Sequence, residues 1–250
     1  MKLTENAKKN LQILFPDHHS SLHETDPEFM ELFNNFAFDE IIGSGQLTIK
    51  TRMIMILGSL IATQSLSLYK IMLQGTLNIG VTAVQIKEIV YQTVPYLGIG
   101  KVTDFLNTTN DVFKEAGIQL PLAGQATTTA ETRQEIGLAV QKSIFGNIID
   151  SIYEKSPQNQ LPIQQVLSAN CFGDYYTRTG LDFKLRELLT FAILISLGGV
   201  ESQVSAHVQG NLNVGNDKSL LTNVVTQLIP YIGYPKTLNA VRAINEVNAG

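Results

Sequence analysis

The feature that most constrains how this chain can fold is an internal duplication. Residues Gln74–Gly80 read QGTLNIG, and Gln209–Gly215, 135 positions later, read QGNLNVG, with five of seven residues identical. Twelve residues beyond the last glycine of each copy a second match begins. Gln92–Lys101 (QTVPYLGIGK) pairs with Gln227–Lys236 (QLIPYIGYPK) at the same spacing of 135. Two matches in one register mean that one supersecondary unit is present twice. Each copy carries more apolar residues than a unit of its size buries alone, so the two are expected to pack on one another.

The local pattern is helical throughout. Long β-branched runs with strict alternation are missing and hairpin dipeptides are few. Asp26-Pro27-Glu28 combines a capping side chain, proline in the first turn and an acid at the positive helix end, and Phe29, Leu32, Phe33 and Phe36 mark one apolar face. Thr48 and Asp182 are N-cap residues at equivalent places, and Thr82 with Gln85 fits a capping box. Pro95 and Gly98 break the helix that follows. Each copy thus reads as an opening helix, two long helices joined by a tight turn, a fourth ending in Pro-Tyr-x-Gly, and a closing helix. Short connections make neighbours antiparallel. The spacing between copies is 134 at Thr48 and Asp182 and 135 beyond, which assigns one extra residue to the Gly198-Gly199 turn. The expected fold is all-α, with two tandem repeats. The expected divisions are an N-terminal extension (1–25) holding a short amphipathic helix, a first repeat (26–116), a linker with a connecting helix (117–160) and a second repeat (161–250).

Composition narrows the class of function. Charged residues make up 16% of the 250, against about 25% in a typical domain, and the mean hydropathy is +0.08. Little charge means much hidden surface, so a homo-oligomer is expected. With a net charge of −4, only 18 Lys and Arg, and no basic patch, nucleic acid is not an expected partner. Leu188–Val200, the longest apolar run, has 13 residues, short of the roughly 18–20 that span a bilayer, and Met1–Asn10 has no apolar signal core. No membrane association and a cytoplasmic location are therefore expected. Cys171 is the single cysteine, which excludes an internal disulfide, a Cys-x-x-Cys pair and a cysteine-rich zinc site. His18, His19 and His23 lie in a polar stretch that reads as a solvated loop, with a weak metal site as the sharper alternative; no metal or cofactor is expected elsewhere.

Glu187 and His207 are the candidates for chemistry. The helical neighbours of Glu187 are Phe183, Thr190, Phe191 and Leu194. Desolvation on such a face favours the protonated carboxyl, the state a general acid needs. The bland reading is an edge glutamate reaching solvent, or one paired with an arginine such as Arg186 of another subunit. His207 sits on a half-apolar face, where a packed, hydrogen-bonded histidine is the bland reading and a proton-transfer group the sharp one. The two lie on consecutive antiparallel helices, within two to three turns of Gly198-Gly199, so their side chains can meet. In the first copy the same positions hold Met53 and Met72. Both polar groups are lost together, which points to joint action in the second copy alone. Tyr231 and Tyr234 of Pro230–Pro235 are candidate pocket residues, although Pro95–Gly98 repeats the motif where Glu and His are absent and so favours a structural turn. Arg186 is open to an intrahelical pair with Asp182 or to anion binding. No phosphate-binding loop, Gly-x-Ser-x-Gly or His-Glu-x-x-His occurs.

At Leu181–Glu187, Ala206–Gly215 and Gln227–Pro235, and again in part at Leu47–Arg52, Gln74–Gly80 and Gln92–Gly98, the chain resembles the carboxymuconolactone decarboxylase family, which includes alkylhydroperoxidase D-like proteins. The resemblance implies an all-helical fold and ring-like oligomers, here a trimer with pseudo-sixfold arrangement. In the decarboxylase branch a cyclic lactone acid loses carbon dioxide without a cofactor, and the resulting dienolate is protonated. Carried over, this makes Glu187 and His207 the proton-transfer pair, with Arg186, Tyr231 and Tyr234 as substrate-binding candidates. The peroxidase branch uses Cys-x-x-Cys ahead of the family histidine. This chain has Val200-Glu201-Ser202-Gln203 there, which disfavours dithiol peroxide reduction. Three functions stay open: a cofactor-free lyase or isomerase for a small carboxylated lactone or keto acid, a non-catalytic or ligand-binding scaffold, and a thiol peroxidase using Cys171.

Overall fold

The computed structural model describes residues 2–16 and 20–247, and among these every regular element is a helix. The first half contains α1 (Glu5–Leu14), α2 (Leu22–Thr25), α3 (Pro27–Asn35), a π-helical stretch Phe36–Glu40, α4 (Ile41–Gly43), α5 (Ile49–Ala62), α6 (Leu66–Asn78), α7 (Ala83–Leu97) and α8 (Ile99–Glu115). The second contains α9 (Arg133–Phe145), α10 (Ile148–Lys155), α11 (Leu161–Val166), a π-helical stretch Leu167–Tyr176, α12 (Phe183–Leu197), α13 (Glu201–Asn213) and α14 (Lys218–Glu246). Most of the expected caps are present; Asp26 precedes α3 but its side chain accepts from Thr25 Oγ1 and makes no cap hydrogen bond. Thr48 and Asp182 accept hydrogen bonds from the amides of Thr51 and Leu185, and Thr82 with Gln85 closes a capping box. Gly98 and Gly233 hold equivalent left-handed positions (φ 76° and 75°). There they divide α7 from α8 and break α14 in the same way, a conformation that costs glycine nothing. The residue expected in the Gly198-Gly199 turn belongs to the helix instead: α12 has 15 residues and α5 has 14, while three residues separate each from its successor.

α5 and α12 form the centre. Every residue from Arg52 to Ala62 and from Arg186 to Ser196 is buried, and the two helices pack directly on one another. A Cβ on Gly58 would lie 2.5 Å from Leu189 Cδ1, so glycine is what lets the two helices approach. Ser196 Oγ donates to Ser59 Oγ across the same contact at 2.8 Å.

The repeats are tied by a reciprocal exchange. Arg52 of α5 donates through Nε to Gln227 Oε1 at 2.8 Å, and Arg186 of α12 donates through Nη1 to Gln92 Oε1, also at 2.8 Å. Each arginine therefore reaches the fourth helix of the other copy. Both guanidiniums are buried, and burial lowers their proton affinity. Arg186 is further bonded by Glu88 Oε2 at 2.9 Å and by the carbonyls of Leu181 and Arg178.

α1 covers the first repeat as α9 covers the second. Asn78 Nδ2 donates to the Leu14 carbonyl and Asn213 Nδ2 to the Ile144 carbonyl, each at 2.8 Å. The next residue, Phe15 or Phe145, lays its ring against Gly75 or Gly210 respectively. The extension and the connecting helix are thus equivalent parts of the two repeats. α1 and α9 share too few residues for this to show in the sequence.

Removing Arg186 would take one of Glu88's two cations and leave the buried Gln92 Oε1 without its donor. Arg186→Met is expected to lower stability by about 3 kcal/mol, read as a shift in the urea unfolding midpoint with an unchanged slope.

Candidate active site

The expected pair meets. His207 Nδ1 lies 2.8 Å from Glu187 Oε2, across α12 and α13. Glu187 is wholly buried, so it is neither an edge residue nor a partner of its neighbour Arg186, while the His207 side chain is 10% exposed. The second carboxylate oxygen, Oε1, accepts from Tyr176 Oη at 2.7 Å. Asn211 Nδ2 donates to the Glu187 and His207 carbonyls, at 3.0 and 2.7 Å, and so fixes the two helices in register. Phe145 and Tyr96 meet the imidazole edge-on, with ring centroids 5.3 and 5.8 Å away. An imidazole held through Nδ1 by a buried carboxylate presents Nε2 for proton transfer, and its rotamer is fixed before substrate arrives.

A hydroxyl cluster surrounds the carboxylate. Tyr176 Oη lies 2.9 Å from Thr190 Oγ1 and 3.0 Å from Tyr96 Oη. Burial first, and then the negative charge of Glu187 among lesser causes, holds both phenols well above their usual range. They therefore act as hydrogen-bond donors at neutral pH and not as bases. Cys171 Sγ sits 3.8 Å from Tyr96 Oη. Its thiol is buried and is pushed up to about 12 by desolvation, which leaves almost no thiolate at neutral pH.

Tyr231 and Tyr234 lie elsewhere than expected. Each repeat's Pro-Tyr-x-Gly tyrosine serves the other repeat's pair of central helices, so Tyr96 of the first copy reaches His207. Tyr231 lies beside Arg52. The guanidinium is the polar group its buried phenol meets, and no further partner reaches Tyr231 Oη or Arg52 Nη1 among the described residues. Tyr234 is 61% exposed on the far side of the Gly233 break. Arg186 adjoins Glu187 in sequence but projects to Glu88 and Gln92, and its buried guanidinium is occupied by protein acceptors. Asp182 caps the helix and is not its partner. No cluster of three metal-ligating side chains occurs among the described residues; His23 is exposed, and His18 and His19 lie outside them.

Tyr176, Tyr96 and Phe145 are the site residues that sequence reasoning missed. Tyr96 had a signal, because the duplication makes it the counterpart of Tyr231. Tyr176 had none: a π-helical stretch changes the residue spacing, so no helical periodicity points its hydroxyl at Glu187.

A profile of the carboxymuconolactone decarboxylase family matches residues 27–111 and 162–246. The chain belongs to this family. It is similar to the 4-carboxymuconolactone decarboxylase of Acinetobacter baylyi, with 29% identity over 119 residues, which are 47% of this chain and 87% of the relative. Its fold matches the crystal structure of a candidate gamma-carboxymuconolactone decarboxylase subunit from Burkholderia xenovorans LB400. That match has a TM-score of 0.58 and 20% identity, and it covers 94% of this chain and 93% of the other. At that identity the second likeness speaks for the fold alone. Within this family member the first repeat has lost the pair, since Met53 and Met72 are buried where Glu187 and His207 stand in the second. No helix among the described residues is long and apolar enough to cross a membrane.

Gly210 leaves room for the carboxylate: a Cβ there would lie 2.6 Å from Glu187 Oε2 and 3.0 Å from Phe145 Cε1. Gly210→Ala is expected to cost about 1–3 kcal/mol and to shift the His207 ring resonances; an unchanged imidazole spectrum would contradict this geometry. Iodoacetamide at pH 8 is expected to alkylate Cys171 in the native chain at least about a hundredfold more slowly than in urea, because the native thiolate is scarce and shielded.

Proposed function

We propose that this chain is a cofactor-free, decarboxylase-like lyase or isomerase acting on a small carboxylated lactone or keto acid. The observation that carries the reading is the 2.8 Å contact between His207 Nδ1 and a wholly buried Glu187, which Tyr176 secures on its other oxygen. Glu187 has no exposed atom with which to touch a substrate, so His207 is the catalytic residue and Glu187 the positioning one.

In the decarboxylation, the bond between the substrate carbon and its carboxylate breaks and carbon dioxide leaves. The electron pair passes into a dienolate conjugated with the lactone carbonyl. His207, protonated at Nε2, then delivers that proton to carbon, and a solvent proton restores it. Glu187 holds Nδ1 so that Nε2 is the nitrogen left for transfer, and Tyr176 and Asn211 prevent the dyad from turning away. In an isomerisation the same nitrogen removes a proton beside a carbonyl and returns it elsewhere. The cytoplasm and a homotrimer remain parts of this proposal. Self-association is supported by exposed apolar residues such as Ile163, Val166 and Leu238, and the threefold form by the family resemblance alone.

Carbon dioxide release from 4-carboxymuconolactone, the compound in the Acinetobacter relative's name, is the direct test. His207→Ala is expected to reduce kcat about 10²–10⁴-fold, and Glu187→Gln by a comparable factor through loss of imidazole orientation. Tyr231→Phe should leave turnover unchanged. Full activity in the His207 variant on any substrate the native chain turns over would remove the mechanism.

A further inference from the structure

A cavity of mixed polar and apolar lining lies away from the Glu187–His207 dyad. It is a cleft of about 390 Å³ between α7, α8 and the segment 120–125, closed on one side by Arg178 from the second repeat. Small-ligand sites commonly begin near this volume. Its floor carries Lys87, a residue only 7% exposed. The Lys87 ammonium donates to Asn110 Oδ1 and lies 5.9 Å from the ring centres of both Tyr91 and Phe113. No carboxylate lies within ion-pair distance of it among the described residues. Burial accordingly lowers its proton affinity, with no opposing charge to restore it.

The surrounding charges do not supply a partner. Glu88 is the acid of the cleft, and its two oxygens are taken by Arg178 at 3.0 Å and by Arg186 at 2.9 Å. Glu88 is thus engaged by both arginines, and no carboxylate is left for Lys87 among the described residues. A buried charge without a counter-charge is costly, and an anion entering the cleft would offset that cost. The remaining walls select among anions. Val84, Tyr91, Leu120 and Leu122 line the cavity, so the space beside the ammonium is apolar and partly aromatic. Inorganic anions gain nothing from such walls, whereas an organic acid buries its body there.

We infer that this cleft binds a small organic monocarboxylate, with its carboxylate on Lys87 and its apolar body against Tyr91, Val84 and Leu122. The site is independent of the reading given for His207, because no residue is shared. It is nonetheless physically joined to that dyad. Glu88 holds Arg186, Arg186 holds Gln92, Gln92 donates to Thr190, and Thr190 contacts Tyr176, which donates to Glu187.

Calorimetric titration of the full chain with benzoate tests the assignment. Saturable binding of one benzoate per chain is expected, with no binding of benzamide, which has the same shape and no charge. Lys87→Met keeps the apolar stem and removes the charge, and should weaken benzoate at least tenfold. Lys87→Arg should restore most of it, and His207→Ala should leave it unchanged. Should the methionine variant not fold, acetylation footprinting of the native chain decides: benzoate is expected to protect Lys87 several-fold while leaving Lys50 as reactive as before. Absence of saturable binding, equal affinity in a folded Lys87→Met protein, or no protection of Lys87 would overturn the assignment. So would loss of binding in His207→Ala, which would place benzoate in the dyad, or displacement by equimolar inorganic phosphate, which would make the site one for inorganic anions.

Discussion

Two buried guanidiniums hold the halves of this protein in register. Arg52 and Arg186 stand at the same place on α5 and α12, and each is bonded to a glutamine on the other repeat's fourth helix. Burying such a group is costly unless acceptors at fixed positions offset its desolvation. The reciprocal bonds therefore restrict how the apolar helices slide or rotate, which hydrophobic packing alone does weakly. Everything else in the fold is arranged about that contact, from the close approach at Gly58 to the tyrosines each repeat lends to the other.

The exchange explains why one chain holds two unlike sites. In the second repeat the central helices carry Glu187 and His207, and the borrowed Tyr96 joins Tyr176 and Thr190 around them. In the first repeat methionines replace the pair, and the borrowed Tyr231 meets the Arg52 guanidinium instead of an acid–imidazole dyad. Methionines in place of the pair thus leave the scaffold of the first repeat intact. The duplicated Arg–Gln bonds persist in both halves because they serve the packing and not the chemistry.

The legibility of the site follows the same division. Glu187 and His207 were visible in the sequence because the copies disagree there in two places at once. Their contact was visible because adjacent antiparallel helices leave few alternatives. Arg186, Tyr231 and Tyr234 read as substrate groups because they adjoin motif residues along the chain. Helical geometry turns Arg186 about 100° from Glu187, and the Gly233 break carries Tyr234 out to solvent.

By itself the sequence determined the helical class, the duplication, the caps and the pair at which the copies differ. These depend on local periodicity and on comparing the chain with itself. Only the tertiary structure decided that α1 and α9 are equivalent lids, that Tyr96 and not Tyr231 serves His207, and that Tyr176 anchors Glu187. These depend on which copy's helices pack against which. A swapped and an unswapped pairing bury the same apolar faces, and it takes the positions of the buried polar groups to tell them apart.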